Sequence, residues 1–216
     1  MLRRSLAFQS FDSQAKVAVS RRRLPHWRQH QASYFVTFRL ADSVPQTLLH
    51  QWQGERAMWI RLHPLPWLTR EQREYDKRFN RRVQEWLDAG MGACVLRRCD
   101  VRDELARCLL EFDTVRYHVD SYVIMPNHVH LVIAPQEQYE LSIILRGIKG
   151  VSANRCNKLL GQKGRFWMDE SYDHIIRDAN ELGALRDYIV ENPKKAHLKR
   201  GEYSLEVRNT IACRPE

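Results

Sequence analysis

The sequence predicts an α+β sandwich, an antiparallel sheet with helices packed on it. Three observations carry this. Tyr34 to Leu40 reads as a strand, two apolar runs between Val115 and Ala134 read as a hairpin, and helix-period segments are grouped around them instead of alternating with them one for one. The chain has 216 residues, 44% of them hydrophobic, which is enough to bury the core of a single domain.

In Tyr34 to Leu40, Tyr34, Val36 and Phe38 alternate with Phe35, Thr37 and Arg39, the pattern of a half-buried strand. From Pro45 to Trp67, Trp52, Trp59 and Leu62 recur at helical spacing until Pro64 and Pro66 break it. Thr69 and Gln72 form a capping-box signal for a charged helix through Phe79, Val83 and Leu87, ended by Gly90. Another helix is expected after Asp100, running to about Phe112 and burying Val101, Leu105, Cys108 and Phe112. The runs Val115 to Met125 and His128 to Ala134 are separated by Pro126 and Asn127, as in a hairpin. Leu141 to Leu160 is expected as a helix, with Ile144, Leu145, Ile148 and Val151 inward and Lys149 and Arg155 outward. Tyr172 to Ile176 reads as a last short strand. Asp178 and Glu181 then cap a helix expected to stop near Asn192, because proline disfavours helical geometry in the residue before it.

A formal charge of +9 attracts polyanions through phosphate neutralisation and counterion release, which makes nucleic acid the leading partner. Cys94, Cys99, Cys108, Cys156 and Cys213 contain no CxxC pair, which argues against a zinc knuckle or disulfide framework and fits a reducing cytoplasm. No apolar run is long enough to cross a bilayer, so no membrane role is expected. Residues 1–24, with Arg21, Arg22 and Arg23, are expected as a mobile basic arm, 25–200 as a single domain and 201–216 as a C-terminal tail.

Two clusters carry chemistry. In Val123 to Pro135, VIMPNHVHLVIAP, a strand turns His128 and His130 to one face, and two neighbouring imidazoles are suited to hold a divalent cation. The plainer alternative is a pair of satisfied core histidines. In the last predicted helix, Leu182, Leu185 and Ile189 form an apolar stripe, while Tyr188 and Asn192 lie four apart on a neighbouring face. There the plainer alternative is a tyrosine at the edge of the core.

Several separated motifs occur in order: LPHW and YFVTFRLADS within 24–43, MPNHVHLV at 125–132, FW at 166–167, DHIIRD at 173–178 and YIVENPKKAHL at 188–198. Together they resemble the REP-associated tyrosine transposases, a branch of the single-tyrosine HUH transposases, over about Leu24 to Leu198. The resemblance implies a ferredoxin-like α/β sandwich and makes 25–200 a catalytic domain. It implies that His128 and His130 bind a metal, that Asn192 supplies a third ligand and that Tyr188 is the nucleophile. Mg2+ or Mn2+ is the expected cofactor, with no small-molecule cofactor. The expected partner is single-stranded DNA beside a small hairpin, cut and rejoined through a 5′-phosphotyrosine by a monomer or homodimer. Lys149, Arg155, Arg165, Lys194 and Lys195 are candidate phosphate contacts and Trp167 a candidate stacking platform, with packing in the core its rival role. Two other classes compete: a non-catalytic nucleic-acid-binding module, and a metal-dependent hydrolase using water, with Glu170 or Asp173 as base or ligand.

Overall fold

The computed structural model describes residues 6–8, 18–21, 25–29, 32–64 and 67–212. In chain order these form β1 (Leu6–Ala7), β2 (Ala18–Arg21), β3 (Pro25–Arg28), β4 (Tyr34–Arg39), α1 (Gln46–Leu62) and α2 (Thr69–Tyr75). A π-helical turn (Asp76–Asn80) joins α2 to α3 (Arg81–Asp88), and a 3-10 turn (Val95–Arg97) precedes α4 (Cys99–Leu110). There follow β5 (Tyr117–Ile124), β6 (His128–Pro135), α5 (Leu141–Leu160), β7 (Tyr172–Ile175), α6 (Ala179–Lys195), β8 (Ser204–Val207) and β9 (Ile211–Ala212).

The main sheet has the order β7-β4-β6-β5-β8, and every neighbouring pair in it is antiparallel. Strands β4, β5, β6 and β7, with helices between the first two and the last two, reproduce the β-α-β-β-α-β connectivity of the ferredoxin-like sandwich. Period-two alternation sorts the strands onto two faces. Tyr34, Val36 and Phe38 of β4 and Val129, Leu131 and Ile133 of β6 join Val101, Leu105, Ile144 and Ile148 in the core under α4 and α5. Phe35, Val132, Ala134 and Val123 face the other way and meet Leu182 and Ile189 of α6. The α+β sandwich expected from the sequence is therefore what the chain forms.

Helices α1 to α3 are an insertion between β4 and α4 with small cores of their own. Trp59, Tyr75 and Phe79 form one, while Val44, Leu49, Leu87 and Met168 form another that ties the insertion to the sheet. The single charged helix expected from Thr69 to Gly90 is interrupted by the π-helical turn, but it does end at Gly90, whose φ of +66° is the left-handed geometry a glycine accepts without strain. The side chains of Thr69 and Gln72, and hence the capping box expected of them, lie outside the described residues, as do those of Arg21, Arg22 and Arg23 and most of the expected arm.

Four expectations are corrected. Val151 is exposed, because Ser152 takes the inward position beside it and donates its hydroxyl back to the Ile148 carbonyl at 2.6 Å. Phe112 lies beyond the end of α4 at the surface, with the Arg116 guanidinium 3.9 Å from its ring centroid. Helix α6 does not stop at Asn192 but runs to Lys195 with Pro193 inside it. So close to the end, proline removes a single helical hydrogen bond, and the Asn192 and Pro193 carbonyls still accept from Ala196 N at 3.0 Å and Leu198 N at 2.9 Å. Finally, residues 204–207, read as tail, are a strand of the main sheet on the β5 edge.

Candidate active site

The β5–β6 hairpin sets both histidines. Pro126 and Asn127 make the turn, and Met125 N donates to the His128 carbonyl at 2.8 Å, so β6 starts at His128 and the alternation puts His128 and His130 on the α6 face. Both rings are fully buried. Asn127 donates its Nδ2 to the Met91 carbonyl at 3.0 Å, which turns its Oδ1 to accept from His128 Nδ1 at 2.7 Å. His130 Nδ1 meets Thr37 Oγ1 at 2.7 Å, across the β4–β6 register that pairs these two residues. With both Nδ1 atoms occupied, the two Nε2 atoms face each other 3.1 Å apart.

Burial holds the His128 pKa down at about 3, and burial with the neighbouring His128 pushes His130 well below the usual imidazole range. Both rings are thus neutral at pH 7, the form in which imidazole binds a cation. Neighbouring ligands of an octahedral ion, each about 2.1 Å from it, lie about 3.0 Å apart. That matches the 3.1 Å spacing of the Nε2 pair. Among the described residues no three His, Cys, Asp or Glu side chains form a metal cluster. Asn192 Oδ1, on α6, is buried and has no hydrogen-bond partner, an arrangement that is costly unless something compensates it. Two imidazole nitrogens with an amide oxygen would make a mixed donor set suited to a divalent ion.

Helix α6 delivers Tyr188 to the same place. Its start is fixed by Asp178, whose carboxylate accepts from Glu181 N at 2.8 Å, and by His174 of β7, 2.7 Å from Glu181 Oε1. Leu182 and Ile189 seat it on the sheet. The Tyr188 hydroxyl then lies 3.4 Å from His130 Nε2, and its ring meets Phe35 edge-on, with centroids 5.8 Å apart. Burial pushes the phenol pKa above its ordinary value; the Asp88 carboxylate adds to this and the Asn192 amide opposes it. A phenol so held stays protonated at neutral pH and needs nearby positive charge to become a nucleophile. Lys195, its Nζ 5.4 Å from the Tyr188 ring centroid, supplies some.

Residues 96–192 match the family model described as transposase, IS200-like. The match begins one helix before the hairpin, takes in both histidines and Tyr188, and ends on Asn192, so the transposase resemblance read from the motifs holds over that span. Strand β4 and the α1–α3 insertion lie outside it. No curated protein matches the chain. Among solved structures, the chain is similar to a REP-associated tyrosine transposase bound to a REP hairpin, at 18% identity over 80% of this chain and 74% of the other, with a TM-score of 0.42. It is also similar to a protein of Deinococcus radiodurans R1 described as a transposase candidate, at 12% identity over 76% and 93% of the two chains, with a TM-score of 0.36.

The residues expected to touch DNA are spread unevenly around this transposase-like site. Lys149 directs its ammonium inward, to the Met168 and Asp169 carbonyls at 2.6 and 2.9 Å and to Ser171 Oγ at 3.2 Å, where it fastens the loop before β7. Arg155 is paired with Glu104 of α4 and with Glu111 just past its end, Arg165 with Asp169, and Lys194 with Glu191. Trp167 is buried, its indole N–H donating to Ser152 Oγ at 3.0 Å and its ring edge-on to Phe38, so it packs the core and no base can stack on it. Trp167→Ala is expected to cost about 3–5 kcal/mol of stability, readable by chemical denaturation, and a loss of DNA affinity at unchanged stability would contradict this.

Three residues of the site went unread in the sequence. Thr37 and Asn127 orient the imidazoles, and Gln84 of α3 brings its Nε2 within 3.4 Å of His130 Nε2 while donating to Asp88 Oδ1 at 2.8 Å. Thr37 was visible only as a polar residue on the less apolar face of its strand, between Phe35 and Arg39; Gln84 had no local signal at all.

Proposed function

We propose that the protein is a metal-dependent single-stranded DNA endonuclease and strand transferase that forms a 5′-phosphotyrosine through Tyr188. One observation supports this best: a neutral, buried imidazole pair with Nε2 atoms 3.1 Å apart, a tyrosine hydroxyl 3.4 Å from one of them, and an unpartnered amide oxygen one helical turn further on. The +9 charge adds the electrostatic attraction to DNA, and the preference for single strand beside a small hairpin rests on the sequence motifs.

His128, His130 and Asn192 would hold the divalent ion, Mg2+ or Mn2+. When bound, it withdraws charge from the non-bridging oxygens of the scissile phosphate. Thr37 and Asn127 keep each imidazole turned with Nε2 into the site. Tyr188 Oη forms a bond to phosphorus as the bond from phosphorus to the 3′-oxygen breaks, and the proton lost by the phenol is balanced by the one the 3′-oxygen gains. One phosphodiester is exchanged for another, so attack by a 3′-hydroxyl can reverse the step without ATP. Phe35 and the α6 stripe exclude water from one side of the phenol, which favours rejoining over hydrolysis.

The test is to incubate the full chain with labelled, hairpin-flanked single-stranded DNA and Mg2+ or Mn2+. A denaturation-resistant protein–DNA adduct is expected, and it should vanish with excess chelator and in His128→Ala or His130→Ala. Cutting without any adduct would instead favour the water-using hydrolase, and binding without cutting the non-catalytic module.

A further inference from the structure

Beside the histidines, between the sheet and the α1–α3 insertion, lies a cavity of about 630 Å³, within the range of small-ligand pockets. It shares a wall with the site described above: Phe35, Thr37 and Gln84 line it and also touch His130. Its other walls combine an aromatic ring, Trp52, with apolar Leu49, Leu87 and Met168. Three guanidinia, those of Arg39, Arg56 and Arg81, line it beside one carboxylate, Glu170. Arg81 is paired with Glu85 at 3.3 Å and Arg56 lies 5.6 Å from the Trp52 and Tyr75 ring centroids, so Arg39 is the one of the three held, among the described residues, by neither a carboxylate nor a ring. Arg39 stands opposite His128 in the β4–β6 register and spends one N–H on Ser43 Oγ at 3.0 Å. Trp52 is fixed by its indole N–H, which donates to the Phe79 carbonyl at 3.2 Å. The loop of Met168 and Ser171 that completes the cavity is the one Lys149 fastens.

An aromatic ring, apolar walls and an excess of cations suit a flat heteroaromatic group carrying a phosphate. We propose that the cavity receives one unpaired nucleotide of the DNA strand next to the scissile phosphate, its base against Trp52 and its phosphate against Arg39. This rests on the single-strand-cutting function proposed above and names a subsite for it. Single-stranded DNA can place a base there without the cost of unpairing it from a duplex. The α1–α3 insertion, which lies outside the matched family segment, would then be the part of the chain that reads or grips this nucleotide.

The test measures binding alone, by fluorescence anisotropy of hairpin-flanked single strands with the full chain in excess chelator. Each single-strand position in turn is replaced by an abasic residue. One position should weaken binding about tenfold, the effect of losing one stacked base. Gln53→Trp, at a half-buried α1 position lining the cavity, fills the space. It should bind the intact strand about tenfold more weakly and lose the distinction between intact and abasic strands. Gln53→Ala leaves the cavity open and should keep that distinction. Equal binding of all abasic strands by the unaltered protein, or a Gln53→Trp protein that still discriminates, overturns the subsite. If binding is uniform while the covalent adduct still forms, only the subsite falls. If no hairpin-flanked strand binds in a salt-dependent way, the proposed function falls with it.

Discussion

Tyr188→Phe is expected to abolish the covalent protein–DNA adduct and to lower strand cleavage by on the order of 10³-fold or more, as removal of a nucleophile does. The substitution deletes one oxygen, which lies 3.4 Å from His130 Nε2 and also meets the Asn192 amide. The ring keeps its edge-on contact with Phe35, its packing against His130 and the Lys195 ammonium above it. Folding, DNA affinity and metal affinity should therefore persist, which separates a chemical role from a structural one. Asn192→Ala should behave differently, with weaker metal binding and slower cleavage but an adduct still on Tyr188. The rival nucleophiles are Tyr172, on β7, and Tyr203, packed beside α6. Peptide mapping of the adduct decides between them: DNA on a peptide lacking Tyr188 would place the chemistry elsewhere.

Asp120→Ala should cost about 3–5 kcal/mol, the usual result of removing one partner of a buried ion pair. Asp120 is fully buried and is the extra residue of a β-bulge between Val119 and Ser121, which turns its carboxylate toward α6. There it accepts from Arg186 Nε at 2.8 Å, from Arg186 Nη2 at 2.6 Å and from Ile211 N at 2.9 Å. Arg186 Nη2 also donates to the Ile211 carbonyl at 2.7 Å, so one carboxylate holds α6, β5 and β9 together. Alanine would take the carboxylate away from a largely buried guanidinium, which keeps the Ile211 carbonyl, and leave the Ile211 N–H without its acceptor. For a chain of this size the loss corresponds to a fall in Tm of about 6–20 °C. A thermal melt within about 2 °C of the unaltered protein would show that the cluster is dispensable.

What could be read in the sequence follows from locality. His128 and His130 were legible because a strand's two-residue period needs only the intervening Val129 to be apolar, and Tyr188 and Asn192 because a helical turn relates them. The Asp120 clamp was not legible, since a bulge breaks the period that assigns residues to faces, and its partners lie 66 and 91 positions away along the chain. Gln84 reaches His130 only through the folding of an insertion whose docking is set by scattered contacts such as Leu87 with Met168. Pro193 misled because its penalty depends on place: severe in mid-helix, slight in a last turn where the following carbonyls still find donors. Trp167 shows that an aromatic beside basic residues can be core, as its neighbours Phe166 and Met168 hinted.

The π-helical turn at Asp76–Asn80 lets the insertion carry one extra residue without turning the wall of this site. Such a turn holds about one residue more than an α-helical turn at nearly the same rotation, whereas an extra residue in regular α-helix advances the face by about 100°. The surplus is absorbed between α2 and α3, so Leu87 still packs on Met168 and Gln84 still reaches His130. Deleting exposed Lys77 or Arg78 would return the segment to regular helix with the same face forward, whereas a one-residue insertion or deletion within α3 ahead of Gln84 would act like a frameshift in space, misaligning the wall shared by the histidines and the neighbouring cavity.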